Sequence, residues 1–212
     1  MTTHFCGQGN RGNVFFGLGE NHYDDIHRVL YKAARPLWLN QGDALEVSRH
    51  IAAFSFCGQH AAFLDGKKTS RYFRDFKRRL VDSAPESGWA LIILDPVSRL
   101  LGADAEIDNA SATQFISLQE ELTIDLPGNP TVLFAHHVSK AAIKEARQDQ
   151  SAARGSSALT DGVRLQFNLT KEGEDIIFKV TKTNFTPLIK DQKLQKDNTG
   201  VFSISKKKPE LF

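Results

Sequence analysis

Ala90-Leu91-Ile92-Ile93-Leu94-Asp95, followed by Pro96-Val97-Ser98-Arg99, is the stretch whose reading decides the fold. The run is short, continuous and apolar, preceded by the turn-forming Glu86-Ser87-Gly88 and stopped by Asp-Pro. Those features describe a buried strand ending in a carboxylate. A strand apolar on both faces belongs in the middle of a parallel sheet covered by helices. In such sheets chemistry gathers at the strands' carboxyl ends, where Asp95 sits.

Working outward, two more strands end in polar groups. Upstream, Asn13-Val14-Phe15-Phe16-Gly17-Leu18 reads as a strand ending in Gly19-Glu20. Helical spacing then begins at Asp24 and places Ile26, Val29, Leu30 and Ala33 on one face. Glu20 therefore lands at a strand-to-helix corner. Taken alone it is a helix-start carboxylate; paired with Asp95 it becomes a candidate base. Downstream, a helix from about Ala110 to Leu126 has Ala112, Phe115, Ile116, Leu118 or Gln119, and Leu122 on its apolar face, with Asn109 or Ser111 as its cap. Pro127-Gly128-Asn129-Pro130 breaks that helix, and Thr131-Val132-Leu133-Phe134-Ala135 reads as a strand ending in His136-His137.

The remaining segments fill in an α/β pattern. Gly42 to Val47 reads as a loop before a strand at His50 to Phe56, and Ala61 to Leu64 is a second short apolar segment. From Ser70 to Val81 the spacing of Tyr72, Phe73, Phe76 and Leu80 predicts an amphipathic helix whose other faces are rich in arginine and lysine. A solvated outer face accounts for that charge better than nucleic-acid contact does. Leu100 to Asn109 reads as an acidic loop, and Ser139 to Asp161 as a long polar, basic one. Val163 to Leu169, Asp175 to Thr181 and Gly200 to Ser205 have strand patterns, and residues 206–212 read as a tail.

Composition narrows the class. With 212 residues, 41% hydrophobic and 25% charged, the chain suits one soluble domain spanning 1–212. Its net charge of +2 does not by itself announce a nucleic-acid partner. Cys6 and Cys57 lack metal-ligand spacing and are too few for a disulfide scaffold. No apolar run approaches the roughly 20 residues that span a bilayer, so a cytoplasmic, membrane-free location is expected. Gly7-Gln8-Gly9-Asn10-Arg11-Gly12 spells G-x-G-x-x-G, but a strand follows it where a dinucleotide site needs a helix.

Several motifs resemble the RepA-type hexameric replicative helicases, which are RecA-like ATPases of plasmids and mobile elements. Phe134-Ala135-His136-His137-Val138-Ser139-Lys140 is similar to that family's strand with its double histidine and Ser-Lys signature. Arg154-Gly155-Ser156-Ser157 through Asp161 to Arg164 resembles its R-G-S-S…D…R segment. Leu94-Asp95 resembles the Walker B strand, Gly19-Glu20 with Asp25-Ile26-His27 the strand carrying the catalytic glutamate, and Val180 to Asn184 the V-x-K-x-N stretch of the late sheet. The likeness runs from about Val14 to Phe185.

The resemblance implies a largely parallel RecA-like sheet flanked by helices, with antiparallel strands toward the C-terminus. It implies ATP and Mg²⁺ as cofactors, with Glu20 polarising the attacking water and Asp95 holding Mg²⁺ through its shell. His136 and His137 would sense the γ-phosphate, and Arg164 would be an arginine finger reaching a neighbouring subunit, which requires a homo-oligomeric ring. Single-stranded DNA would be gripped by Lys140, Lys144, Arg147 and Arg154 in a central channel.

One element of that family has no counterpart here: G-x-x-x-x-G-K-[ST] occurs nowhere in the 212 residues. Lys67-Lys68-Thr69 follows Gly66 but lacks the upstream glycine and the preceding strand. The first strand, phosphate loop and loop helix are thus missing from the pattern, and an upstream polypeptide supplying them is one solution. The expected functions are a helicase ATPase domain that is inactive alone, or a non-catalytic remnant or binding module that pairs with a partner. A weaker alternative is a metal-dependent phosphoesterase using Asp95, His136 and His137. Adjacent strand residues point to opposite faces, which makes the two histidines a poor chelating pair.

Overall fold

A computed structural model of the chain describes residues 12–34, 41–102, 108–137, 157–198 and 200–204. β1 (Asn13–Leu18), β2 (Ile51–Ser55), β5 (Trp89–Asp95) and β6 (Thr131–Phe134) form a parallel sheet in the order β2-β1-β5-β6. The strand read first is therefore an interior one. Between β2 and β5 lie a hairpin of β3 (Leu64–Asp65) and β4 (Lys68–Thr69) and helix α3 (Arg71–Asp82); α4 (Asn109–Asp125) links β5 to β6. Helices α1 (Tyr23–Ala34) and α2 (Gln41–Arg49) lie between β1 and β2.

Parallel pairing puts Phe15, Ile92 and Phe54 with Leu94 on one side of the sheet, and this side carries the core. Phe73, Phe76 and Leu80 of α3 and Phe115, Leu118 and Leu122 of α4 pack on it. Rings interlock edge-on across the interface, Phe15 with Phe76 at 5.8 Å and Phe115 with Phe134 at 6.1 Å. Such contacts add to area burial because the ring edge is positive and the ring face negative. Ser70 starts α3 by accepting from the Phe73 N–H and donating its hydroxyl to the Ala62 carbonyl. Lys77 of α3 bridges Glu121 and Asp125 of α4, 2.5 Å from each, which fixes the two helices side by side.

A second sheet, antiparallel, has the order β10-β9-β8-β7, with β7 (Leu165–Glu172), β8 (Asp175–Thr183), β9 (Gln192–Lys196) and β10 (Phe202–Ile204). Phe178, Val180 and Leu194 form its own small core. The short helix α5 (Ser157–Gly162) joins it to the main body: Leu159 enters the large core, and Lys182 of β8 donates to the Thr160 and Asp161 carbonyls.

Several expectations are corrected. Gly42 to Val47 is helix, not loop, because Asp43 opens and Arg49 closes a short segment with favourable dipole charges. The cap of α4 is Asp108, whose carboxylate accepts from the Ser111 N–H and hydroxyl. On α1 only Ile26 is buried; Val29 is 60% exposed. The Ser139 to Asp161 loop ends in α5, and β9 was missed because Gln192-Lys193-Leu194-Gln195-Lys196 holds a single apolar residue. β5 is not buried on both faces: Ile92 and Leu94 are sealed, Leu91 and Ile93 only half so. No helix among the described residues is long and apolar enough to cross a membrane.

Candidate active site

Three strand ends meet at the carboxyl rim of the parallel sheet. β1 runs out at Leu18, opposite Asp95 in the pairing with β5, and the Gly19 N–H donates to the Asp95 carbonyl at 2.7 Å. Glu20 thereby follows directly beside Asp95. Gly19 is required there: a Cβ would fall 2.7 Å from Arg99 Cγ and 3.0 Å from its Cβ. On the other side the Ala135 N–H donates to the Leu94 carbonyl and the Val97 N–H to the Ala135 carbonyl, which holds the segment entering His136-His137 against the start of the turn at Val97–Arg99.

The electrostatics follow from that convergence. Partial burial raises the Asp95 carboxyl above the usual carboxylate range, the Glu20 charge raises it further, and His137 pulls it down. Asp95 thus responds to both candidate residues on the flanking strand ends. Arg99 Nε stands 3.9 Å from Glu20 Oε1, a loose and exposed pair. A carboxyl whose proton affinity is raised by a second carboxylate beside it is relieved by a divalent cation, so the metal-binding half of a nucleotide site fits these residues. The phosphate half has no matching element: no glycine-rich loop with a lysine precedes β1.

Arg164 lies elsewhere. It sits at the entry to β7, 65% exposed by side chain, with its guanidinium 3.4 Å from Glu120 of α4. Lys140, Lys144, Arg147 and Arg154, with residues 206–212, lie outside the described residues. The described residues contain no group of three His, Cys, Asp or Glu side chains able to hold a metal, so the histidine pair and Asp95 do not make a chelating set. Arg99 was missed as a neighbour of Glu20, although its place four residues after Asp95 on the tight turn was available as a signal.

The architecture has solved counterparts. A helicase ATPase domain superposes with a TM-score of 0.65 at 16% identity, covering 90% of this chain and 74% of that one. The fold is RecA-like. The RadB recombinase superposes with a TM-score of 0.52 at 14% identity over 89% of this chain and 78% of its own. At these identities the likeness establishes this RecA-like architecture and no more. No family model matches the sequence, and no curated protein matches it.

Proposed function

We propose that this chain is the larger part of a RepA-like DNA helicase ATPase, of the kind that serves plasmid or mobile-element replication, and that without a phosphate loop it does not hydrolyse ATP alone. The observation carrying this reading is the convergence of Glu20, Asp95 and His137 at adjacent strand ends of a RecA-like sheet. With nucleotide and Mg²⁺ bound, Asp95 would hold the metal through its water shell, Glu20 would orient water, and His136 and His137 would report the γ-phosphate. Phosphoryl transfer depends on positioning and charge neutralisation, so a site with the metal carboxylates but no phosphate cradle is incomplete.

Arg164 acts in this proposal across a subunit interface of a homo-oligomeric ring. Its exposure and loose pairing with Glu120 leave it able to exchange partners. Lys140, Lys144, Arg147 and Arg154 contact single-stranded DNA, and the protein works in the cytoplasm as one domain. DNA binding tests this: affinity for a single strand should fall steeply with salt and on replacing Lys140, Lys144 and Arg147 by alanine. Binding that ignores both changes contradicts the proposal.

A second reading, a non-catalytic module that pairs with a partner, is favoured by the open outer edge of β6, the end strand of the parallel sheet. The two readings separate on whether a completed site binds nucleotide.

A further inference from the structure

Two sheet edges stand open beside one helix. β6 ends the parallel sheet and β7 ends the antiparallel one, and neither has a second strand partner among the described residues. Both are anchored to α4. Phe134 of β6 meets Phe115, while the chain entering β7 is held by Arg164 on Glu120 and by Gly162, where a Cβ would fall 2.8 Å from Ile116. An open edge presents unpaired N–H and C=O groups to any strand that fits.

The same side of the molecule has an unfinished face. Opposite α3 and α4 the sheet presents Val14, Phe16, Leu91, Ile93 and Leu133. Four of these are half-buried and Leu133 is 36% exposed, whereas Ile92 and Leu94 behind them are fully covered. Helices α1 and α2 touch β2, at the other side of the sheet.

Chain handedness says what belongs there. From β2 to β5 to β6 the chain steps one way across the sheet, with α3 and α4 on the core face. From β1 to β2 it steps the other way, so right-handed crossovers put α1 and α2 on the opposite face. A strand laid parallel to β6 on its open edge, with its chain continuing into β1, steps in the β1-to-β2 direction. Its connecting helix must then lie on the half-covered face, over β5 and β6.

We infer that the outer edge of β6 and the Leu91–Ile93–Leu133 face together form the docking surface for a strand–loop–helix segment from outside these 212 residues. The strand pairs parallel with Thr131–Phe134, and the helix lays an apolar stripe over Ile93 and Leu133. The loop between them opens at the strands' carboxyl ends, on the rim that holds Glu20, Asp95 and His137. About a quarter of the matched helicase ATPase domain has no counterpart in this chain, which is room for such a unit. That the loop carries a phosphate cradle rests on the ATPase reading; the docking geometry does not.

The test fuses a designed segment ahead of Met1 through a flexible glycine–serine linker: an apolar strand, a G-x-x-x-x-G-K-T loop and an amphipathic helix of about a dozen residues. Hydrogen exchange is followed in the full chain with and without the segment. Docking predicts at least tenfold slower exchange in residues 131–135, and loss of that protection in Leu133→Lys but not in Val81→Lys, an exposed position on α3. Leu133→Lys must leave the melting temperature of the unfused chain unchanged. Unaltered exchange at β6, or protection indifferent to Leu133→Lys, overturns the inference. Nucleotide binding is read separately: protection without binding of Mg-ATP retains the docking surface and rejects the ATPase reading, whereas Mg-ATP binding by the unfused chain rejects the need for the segment.

Discussion

Replacing neighbouring isoleucines on β5 measures the one-sided cover of the sheet directly. Ile92 is fully buried against the α3–α4 layer, and Ile93, next along the strand, faces the half-covered side. Truncation to alanine removes about three methylene equivalents at ~0.8 kcal/mol each, so Ile92→Ala loses roughly 2.4 kcal/mol of transfer energy. A cavity between two packed layers adds to that and brings the expected cost to about 3–5 kcal/mol. Ile93→Ala loses about half the transfer energy and encloses no cavity, so its expected cost is about 1 kcal/mol. Urea unfolding monitored by circular dichroism gives both values, and at about 2–4 °C per kcal/mol for a chain of this size the melting temperatures separate as well. Equal costs at the two positions would refute the one-sided packing and, with it, the exposed docking face.

Two further outcomes are expected. Ser70→Ala removes the α3 cap and leaves the Ala62 carbonyl without its hydroxyl donor, and should cost about 1–2 kcal/mol in the same unfolding assay; a change near zero would mean that α3 is not started by Ser70. Asp95 has a raised proton affinity in the folded chain, so the native state holds its proton at pH values where the unfolded chain has released it. Its contribution to stability is thus full below the ordinary carboxylate value and is lost as pH rises through the raised one. Asp95→Asn should flatten that decline, seen as a stability difference from the parent that changes sign or size across the window in a pH series of unfolding midpoints. A difference independent of pH would contradict the Asp95 environment described.

Much of the framework was legible because it depends on local pattern. The continuous run ending at Asp95, the Tyr72–Phe73–Phe76–Leu80 spacing and the break at Pro127 to Pro130 each locate an element through burial or backbone limits that act within a few residues. What escaped depends on partners far along the chain. β9 is strand because β8 and β10 pair with it, not because of its own composition. Leu91 and Ile93 look as buried as Ile92 in sequence, and only the absence of a described helix over them distinguishes the two faces. The rim residues Glu20, Asp95 and His137 were readable as strand-end polar groups, whereas the pairing of Arg164 with Glu120, 44 residues away, has no sequence signal.

The most direct test of the account is Mg-dependent ATP hydrolysis by the 212-residue chain alone, measured beside Asp95→Ala. The account predicts turnover indistinguishable from background in both, because the carboxylates have no phosphate cradle to face. Robust hydrolysis by the parent chain that disappears in Asp95→Ala would contradict it.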